Sequence, residues 1–372
     1  MGDQDTNGPS GSERDTSQEE LRQQLIAELE ALVERLKATA PDFIPPRYSR
    51  RGVLALGEEL LGRFLPERQP NLAGHLRAAL NRDLLDPETW KGLWYLTNYT
   101  LKLQADFVRR RFTGEYETDE WGLDWEFVET VLPFINFLYS AYWRIETTGV
   151  ERIPLEGSAL LVSNHSGQLP WDALMLGAAV WNEHPAQRVV RTLYDSWYAS
   201  VPFVSALAMK MGDAAATVEN GTRLLLQGNL VASFPEGHEG LSKLYKERYR
   251  LTQFGRGGFV KMALAAQAPI IPAAVVGAEE TYISIAHSPT LARLTGLPYF
   301  TISLTFPWLG LLGLVPLPSK WYIDFGAPIP VDGHGEEAAT NLMLVAQLTE
   351  ETRSTVQAML QARLAARSSV FA

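Results

Sequence analysis

The feature that most constrains the fold is a series of short apolar segments in the second part of the chain. They contain five to seven residues, and the stretches between them show the apolar spacing of helices. Strands that are apolar throughout are expected where both faces of a sheet are covered. The segments lie at 158–163, 189–193, 230–234, 270–276, 299–305 and 321–325. This alternation predicts an α/β domain with a mostly parallel or mixed sheet flanked by helices.

The first part of the chain has a different character. Residues 1–17 are polar and acidic and lack the apolar core of a secretory signal, so we expect a disordered acidic tail. Residues 18–140 show mostly helical apolar spacing broken by prolines, which predicts a helical N-terminal extension. Its aromatic-rich last segment, 123–143, either docks on the main domain as a helix or lies against a membrane interface. We assign residues 141–372 to the α/β domain, which ends in a helix predicted at 336–367.

The composition argues against several functions. The chain has 372 residues, a net charge of −10 and no cysteine. A disulfide framework, a thiolate metal site and a cysteine nucleophile are therefore excluded. The acidic balance argues against a general nucleic-acid binder, which needs a basic face. The histidine spacing predicts no metal site, and the chain lacks the G-x-S-x-G turn of a serine hydrolase.

A histidine and an aspartate flank the turn that follows the first apolar segment. The sequence SNHSGQLPWD places His165 directly after the strand predicted at 158–163. Pro170 suits the first turn of a helix, and this puts Asp172 near the helix N-terminus, where exposed N–H groups favour an ionised carboxylate. Such a carboxylate either caps the helix or turns back to orient the imidazole, as in hydrolase triads. The second alternative predicts that the two side chains meet.

Two further segments are expected to end at the same edge of the sheet. Residues 230–237 run from a strand into a Phe-Pro-Glu-Gly turn, which displays Glu236 and a glycine backbone. Residues 268–277, APIIPAAVVG, form an apolar strand bracketed by prolines. Taken singly, the first is an ordinary turn and the second indicates only a buried strand.

Taken together, the order and separation of these blocks resemble the phospholipid/glycerol acyltransferase superfamily, also called lysophospholipid acyltransferases. The matching blocks are Asn164 and His165 with Asp172, then RTLYD and MGDAAATVENGTRLL, then 234–237, and finally 269–272. The resemblance covers about residues 140–330. The long spacing between His165 and Asp172 and the segment FGRGGFVKMAL are similar to the branch of monoacylglycerol and diacylglycerol acyltransferases.

The resemblance implies an O-acyltransferase that moves a fatty acyl group from an acyl thioester to the hydroxyl of a glycerolipid or lysophospholipid. It implies that His165 is the general base and that Asp172 orients it. It also implies no cofactor, with acyl-CoA or acyl carrier protein as co-substrate. The residues that we expect to bind substrate on this basis are Asn164, Ser166, Gly167, Arg191, Phe234, Pro235, Glu236, Gly237, Lys243 and Arg256.

One departure from the family pattern concerns the acceptor. Glu239 stands where the FPEGTR form of the motif has an arginine that is expected to bind a phosphate, and this departure favours a neutral acceptor. Four basic residues are candidates to replace that arginine, unless they form a solvated face: Lys243, Lys246, Arg248 and Arg256.

The resemblance also implies a place for the protein in the cell. We expect a peripheral protein of phospholipid biosynthesis at the cytoplasmic face of a membrane, with a lipid acceptor, a thioester donor and the membrane surface as partners and no nucleic acid. The uncharged stretch 294–319 is either a membrane-touching hairpin or an internal strand pair with a loop. Two other functions stay open, a non-catalytic lipid-binding module and a thioesterase or lipase that uses water as acceptor.

Overall fold

A computed structural model describes residues 118–200 and 207–370, together with Ala27. These residues divide into two compact units, of which the smaller comprises residues 284–315 and the larger comprises the other described residues from 118 onward. The tail expected at 1–17, and the part of the helical extension before residue 118 other than Ala27, lie outside the described residues.

The strands of the described residues are, in chain order, β1 (Glu146–Thr148), β2 (Ala159–Ser163), β3 (Val190–Tyr194), β4 (Ala214–Ala215), β5 (Leu230–Ser233), β6 (Ile270–Val276), β7 (Ser284–His287), β8 (Thr301–Ser303) and β9 (Tyr322–Phe325). The larger unit is built on a seven-stranded sheet with the order β1-β9-β6-β2-β5-β3-β4. Neighbouring strands are parallel except for β6 and β9. The mixed, mostly parallel sheet confirms the fold class predicted from the sequence.

The α-helices of the described residues are α1 (Trp125–Phe137), α2 (Trp171–Glu183), α3 (Val218–Leu226), α4 (Gly237–Leu241), α5 (Gly258–Ala266), α6 (Pro289–Thr295) and α7 (Leu342–Ala366). Helices α1 and α2 pack on one face of the sheet, and α3, α5 and α7 pack on the other. The α1 helix lies within the segment predicted at 123–143 and begins where the Asp124 carboxylate accepts the main-chain N–H of Phe127 at 3.1 Å. Its buried residues belong to the first core layer.

The central strand β2 shows why the sequence signal is so apolar. Its side chains alternate between the two faces of the sheet, so that Leu161 belongs to the core layer beneath α1 and α2. Leu160 and Val162 belong to the layer beneath α3, α5 and α7. Every residue of β2 is buried, and the strand is apolar from Ala159 to Val162, with only its last residue, Ser163, polar.

The smaller unit differs from the sequence prediction. The strand predicted at 299–305 is shorter, and it pairs antiparallel with β7 rather than joining the main sheet. The stretch 294–319 therefore contains one strand and a short 3-10 helix rather than a strand pair. Several prolines in this stretch lack the N–H that a strand ladder needs, which accounts for the short β8.

Among the described residues, no helix combines the length and the apolar character that a membrane crossing requires.

The carboxyl group of Asp213, a half-buried residue on the wall of a cavity, links β3 to the segment that precedes β4. The main-chain N–H of Thr192 donates to Oδ1 of Asp213 at 2.9 Å. Burial raises the pKa of Asp213 to about 7, against the opposing effects of that N–H and of Arg191. The ordinary pKa of an aspartate side chain is 3.8, so between about pH 4 and pH 7 the folded state binds more protons than the unfolded state. The contribution of Asp213 to stability should therefore fall as the pH rises through this window.

An Asp213→Asn substitution tests this assignment, because the amide keeps the acceptor oxygen and carries no charge at any pH. We expect the stability of the variant relative to the parent to increase from about pH 4 to about pH 7 and then to level off. Urea unfolding of both proteins across this range measures the difference, and other titrating groups cancel in it. A difference that does not change with pH would contradict the assignment.

Candidate active site

The candidate site lies at the edge of the sheet where four neighbouring parallel strands end. His165 follows β2, the turn 234–237 follows β5, Asp195 follows β3 and Gly277 follows β6. Because adjacent parallel strands end at the same edge, the loops after them come together there, as in other open α/β sheets.

His165 and Asp172 form a buried pair. Nδ1 of His165 lies 2.7 Å from Oδ2 of Asp172, and Asp172 is fully buried in the first turn of α2. The main-chain N–H of Ser166 donates to the same oxygen at 2.8 Å, and that of Ala173 donates to Oδ1 at 2.9 Å. The expectation that the two side chains meet is confirmed.

This pairing fixes the tautomer of the imidazole. A carboxylate oxygen only accepts hydrogen bonds, so Nδ1 of His165 carries the proton that is shared with Asp172. Nε2 is then the basic nitrogen, and no described residue forms a hydrogen bond with it. An imidazole in this tautomer can accept a proton at Nε2.

Glu236 lies behind His165, and its side chain is fully buried. Its Oε1 accepts the main-chain N–H of His165 at 2.9 Å, and its Oε2 accepts that of Thr252 at 2.8 Å. Nζ of Lys243 lies 3.1 Å from Oε2. Both oxygens are therefore engaged by the protein, so the carboxylate holds the main chain of His165 in place.

Lys243 is buried between two carboxylates. Its Nζ also lies 3.0 Å from Oε1 of Glu279, whose Oε2 accepts the main-chain N–H of Tyr249 at 2.9 Å. Burial alone would lower the pKa of Lys243, but Glu279 and Glu236 outweigh burial and raise it. Burial raises the pKa of Glu279, and Lys243 opposes that shift. The cation is thus held in its charged form by its two neighbours.

The packing of α4 against His165 requires a glycine at position 240. A Cβ atom there would lie 2.8 Å from the Cβ atoms of Glu236 and His165 and from the His165 carbonyl oxygen. Real Cβ atoms do not approach other atoms so closely, so α4 reaches the His165 main chain only because residue 240 has no side chain. On another side, the His165 ring packs on Phe234, with the ring centroids 4.7 Å apart.

A cavity of about 650 Å³ opens beside His165. Asp195, His238 and Arg256 lie on its wall and are partly or largely exposed, which marks the open end. Most of the remaining wall is apolar, and its large side chains include Phe127, Val131, Leu174, Trp181, Val190, Leu193, Phe259 and Met262. The lining includes residues from Arg188, before β3, to Asp195, directly after it. At the usual rise of about 3.3 Å per strand residue, this path is about 20 Å long.

The residues that the sequence predicted to bind substrate fall into two groups. Those on the cavity wall are Phe234, Pro235, Gly237 and Arg256. Those that do not line the cavity are Asn164, Ser166, Gly167, Arg191, Glu236 and Lys243.

The second group has structural contacts instead. The Asn164 amide is fully buried and bonds to both the N–H and the carbonyl of Val275, at 2.8 and 3.0 Å. This ties the end of β2 to β6. Arg191 is buried, donates to the carbonyl of Gly212 at 3.3 Å and pairs with Asp119. Gly167 has a positive φ of 85° in the turn between His165 and Asp172.

Three residues of the site were not predicted from the sequence. Asp195 and His238 lie together at the open end, with Oδ2 and Nδ1 3.7 Å apart, and Glu279 is the second partner of Lys243. Each follows the end of an apolar strand closely, and that position was the available signal. The described residues contain no group of three or more side chains that could hold a metal ion.

Known proteins provide an independent comparison. A family model described as Acyltransferase matches residues 144–276, which include His165, Asp172 and the turn 234–237. An uncharacterized protein of Mycobacterium tuberculosis strain H37Rv is 45% identical over 268 residues, which cover 72% of this chain and 75% of that protein.

Two more distant proteins are also similar. A Bos taurus protein named DGAT1/2-independent enzyme synthesizing storage lipids is 28% identical over 224 residues, covering 60% of this chain and 61% of that protein. The crystal structure of the 1-acyl-sn-glycerophosphate (LPA) acyltransferase PlsC from Thermotoga maritima matches with a TM-score of 0.44 and 16% identity. That match covers 76% of this chain and 97% of the other.

The family assignment rests on the match to the family model and on the mycobacterial relative. The family model spans the strands and turns that build the site, and the relative is similar over most of both chains. The resemblance inferred from the sequence motifs is thereby confirmed. The chain belongs to the phospholipid/glycerol acyltransferase superfamily and is an acyltransferase.

Proposed function

We propose that the protein transfers a fatty acyl group from an acyl thioester to a hydroxyl group of a glycerolipid, with His165 as the general base. The observation that carries this proposal is the buried pair of His165 and Asp172 beside an apolar cavity. Membership of an acyltransferase family supports it. The name of the bovine relative, an enzyme synthesizing storage lipids, supports a glycerolipid product.

In the proposed reaction, Nε2 of His165 takes the proton of the acceptor hydroxyl, while the oxygen of that hydroxyl attacks the carbonyl carbon of the thioester. A carbon–oxygen bond forms, the carbon–sulfur bond breaks, and the leaving thiolate takes the proton from the imidazolium. Asp172 stabilises the imidazolium that exists between these two transfers. The acceptor hydroxyl takes the place of a serine nucleophile, so no covalent enzyme intermediate is required.

The cavity supports a long acyl chain as the transferred group. Its mainly apolar wall includes four of the five residues of β3, and the length of this path is comparable with that of an extended fatty acyl chain. Each methylene group removed from water contributes about 0.8 kcal/mol to binding. An acyl chain that fills the cavity would therefore bind tightly and bring its carbonyl carbon to His165 at the open end.

The polar side chains at the open end favour an uncharged acceptor. The carboxylate of Asp195 would repel a phosphate, whereas Asp195 and His238 together offer partners to the free hydroxyl groups of a glycerol unit. Lys243 is neutralised by two carboxylates, and Lys246 and Arg248 line a different cavity. Arg256, which lines the cavity and has no ion pair with a described residue, is the remaining candidate for a phosphate contact.

A protein that acylates lipids has to meet its acceptor at a membrane. We include in the proposal a peripheral association with the cytoplasmic face of a membrane, and a donor that is either acyl-CoA or acyl carrier protein. Sedimentation with phospholipid vesicles tests the first point, and a comparison of the two donors in one assay tests the second.

Replacement of His165 tests the mechanism. We expect His165→Gln to lower the turnover number by about 10²–10⁴-fold with the fold intact, because the general base is lost. The assay uses labelled acyl thioester with a panel of lipid alcohols, and His287→Gln, an exposed histidine of β7, is the control. Transfer at the parent's rate by the variant would refute the mechanism. If the parent protein released free fatty acid without forming an ester, it would be a hydrolase. If the parent gave no reaction at all, it would be a lipid-binding module.

The acceptor class is tested by two substitutions at the open end. We expect Asp195→Asn to raise the KM for a monoacylglycerol or diacylglycerol severalfold, because a hydrogen-bonded carboxylate is lost. Arg256→Gln should leave the rate with these neutral acceptors nearly unchanged. A strong preference for a phosphorylated acceptor, together with a loss of about tenfold or more in its kcat/KM in Arg256→Gln, would contradict the proposal of a neutral acceptor.

The role of Lys243 as a positioning residue is tested by Lys243→Met. Two buried carboxylates then lose their shared cation, and we expect a loss of about 3–5 kcal/mol in the free energy of unfolding. The double variant Lys243→Met/Glu279→Gln should recover part of this loss because one of the two charges is removed. In each variant that is folded at the assay temperature, kcat should fall more than KM rises. If urea unfolding gave the same stability for the parent and for Lys243→Met, the proposed role of Lys243 would be wrong.

A further inference from the structure

A second cavity in the larger unit shares no lining residue with the first. It has a volume of about 650 Å³ and lies between residues 246–250 and the C-terminal part of α7 with the residues that follow it. Four cationic side chains and one carboxylate line it. We name it the basic cleft and define it by its four cations, which are Lys246, Arg248, Arg250 and Arg367.

One of these cations is already neutralised. Arg367 forms a two-point ion pair with Glu280, with nitrogen–oxygen distances of 2.9 and 2.5 Å, and both side chains are buried. This pair forms the floor of the cleft. Its charges cancel each other, so it provides a rigid base rather than a strong attraction for an anion.

The other three cations have little compensation. Arg248 stacks on the ring of Tyr245 at 4.1 Å from its centroid and donates to the Tyr245 carbonyl at 2.9 Å, contacts that fix its position without neutralising it. Lys246 is exposed and lies 3.8 Å from Glu247, at the limit of an ion pair. Arg250 is exposed and has no ion pair with a described residue. The lining thus has an excess of three positive charges in a chain whose net charge is −10.

The chemistry of this lining matches a phosphate group. Guanidinium groups bind phosphate oxygens through paired N–H donors, and an ammonium group adds a point charge. Gln361 and Ser368 contribute uncharged hydrogen-bonding groups to the same wall. The volume falls within the range of about 300–1,000 Å³ that is usual for small-molecule sites. We propose that the basic cleft is a second ligand site, which binds a molecule through its phosphate groups.

The cleft lies close to the candidate active site. Arg250 is two residues before Thr252. The Glu236 carboxylate accepts the main-chain N–H of Thr252 at 2.8 Å and that of His165 at 2.9 Å. The two hydrogen bonds and the short chain segment from Arg250 to Thr252 together place the main chain of Arg250 within about 15 Å of the main chain of His165. Two sources of phosphate are compatible with this position, the nucleotide part of a CoA thioester and the head group of an anionic phospholipid.

The test measures binding, so it does not depend on the proposed acyl transfer. The full-length protein is titrated by calorimetry with pyrophosphate, CoA and dephospho-CoA, and is sedimented with vesicles of phosphatidylglycerol or phosphatidylcholine. The variant is Lys246→Gln/Arg250→Gln, whose two side chains are exposed, so no buried contact is lost. The control Arg293→Gln/Arg353→Gln removes the same number of charges from the surface outside both cavities.

We expect the variant to bind at least one phosphate-bearing probe about tenfold or more weakly than the parent, while the control binds like the parent. Binding should also weaken as the salt concentration rises. If the variant loses affinity only for CoA, and the parent binds dephospho-CoA more weakly than CoA, the nucleotide is the source of the phosphate. A loss confined to phosphatidylglycerol vesicles identifies the lipid head group. If no probe distinguishes the variant from the control, the basic cleft is not a phosphate site.

Discussion

The carboxylate of Glu236 joins three parts of the chain on which the geometry of the candidate site depends. It accepts the main-chain N–H groups of His165 and Thr252 and pairs with Lys243, so it connects the ends of β2 and β5 to the loop that precedes α5. A buried carboxylate without partners would cost several kcal/mol, and it is stable here because every one of these contacts is made. The same contacts explain why the Phe-Pro-Glu-Gly turn needs a glutamate. A shorter or neutral side chain could not hold His165 and Lys243 at once.

The sequence predicted the fold well where a strand consists mainly of buried apolar residues. The bounds of β6 were predicted without error, and those of β2, β3, β5 and β9 to within one residue at each end, because apolar residues dominate these short segments. Polar residues do interrupt β3, at Arg191 and Thr192, and β9, at Asp324. The short strands β1, β4 and β7 were missed, since two to four residues are too few to show a period. The pairing of β8 with β7 was also missed, because an apolar segment does not specify which strand lies beside it.

The candidate site was predictable where the chemistry is local. Asp172 lies only seven residues after His165, so turn chemistry reduced its role to two alternatives, a helix cap or a contact with His165. The family resemblance favoured the contact, which the structure shows. The pairing of Lys243 with Glu279, 36 residues later, was not predictable, because charge alone does not identify a distant partner. Four basic residues looked equivalent in the sequence, but the structure gives them three environments. Lys243 is in a buried ion pair, Arg256 lines the apolar cavity, and Lys246 and Arg248 line the basic cleft.

The two cavities differ in a way that suits the two ends of an amphipathic molecule. Phosphate groups would lose too much hydration in the apolar cavity, and an acyl chain would find little apolar surface between the cations of the basic cleft. The ion pairs of Lys243 with Glu236 and Glu279 lie between the two sites, because Glu236 contacts His165 and Glu279 contacts Tyr249, which lines the basic cleft. The two sites are therefore adjacent and separated by buried ion pairs. Because all three charged groups of these ion pairs are buried, salt in the solvent would screen their mutual attraction little.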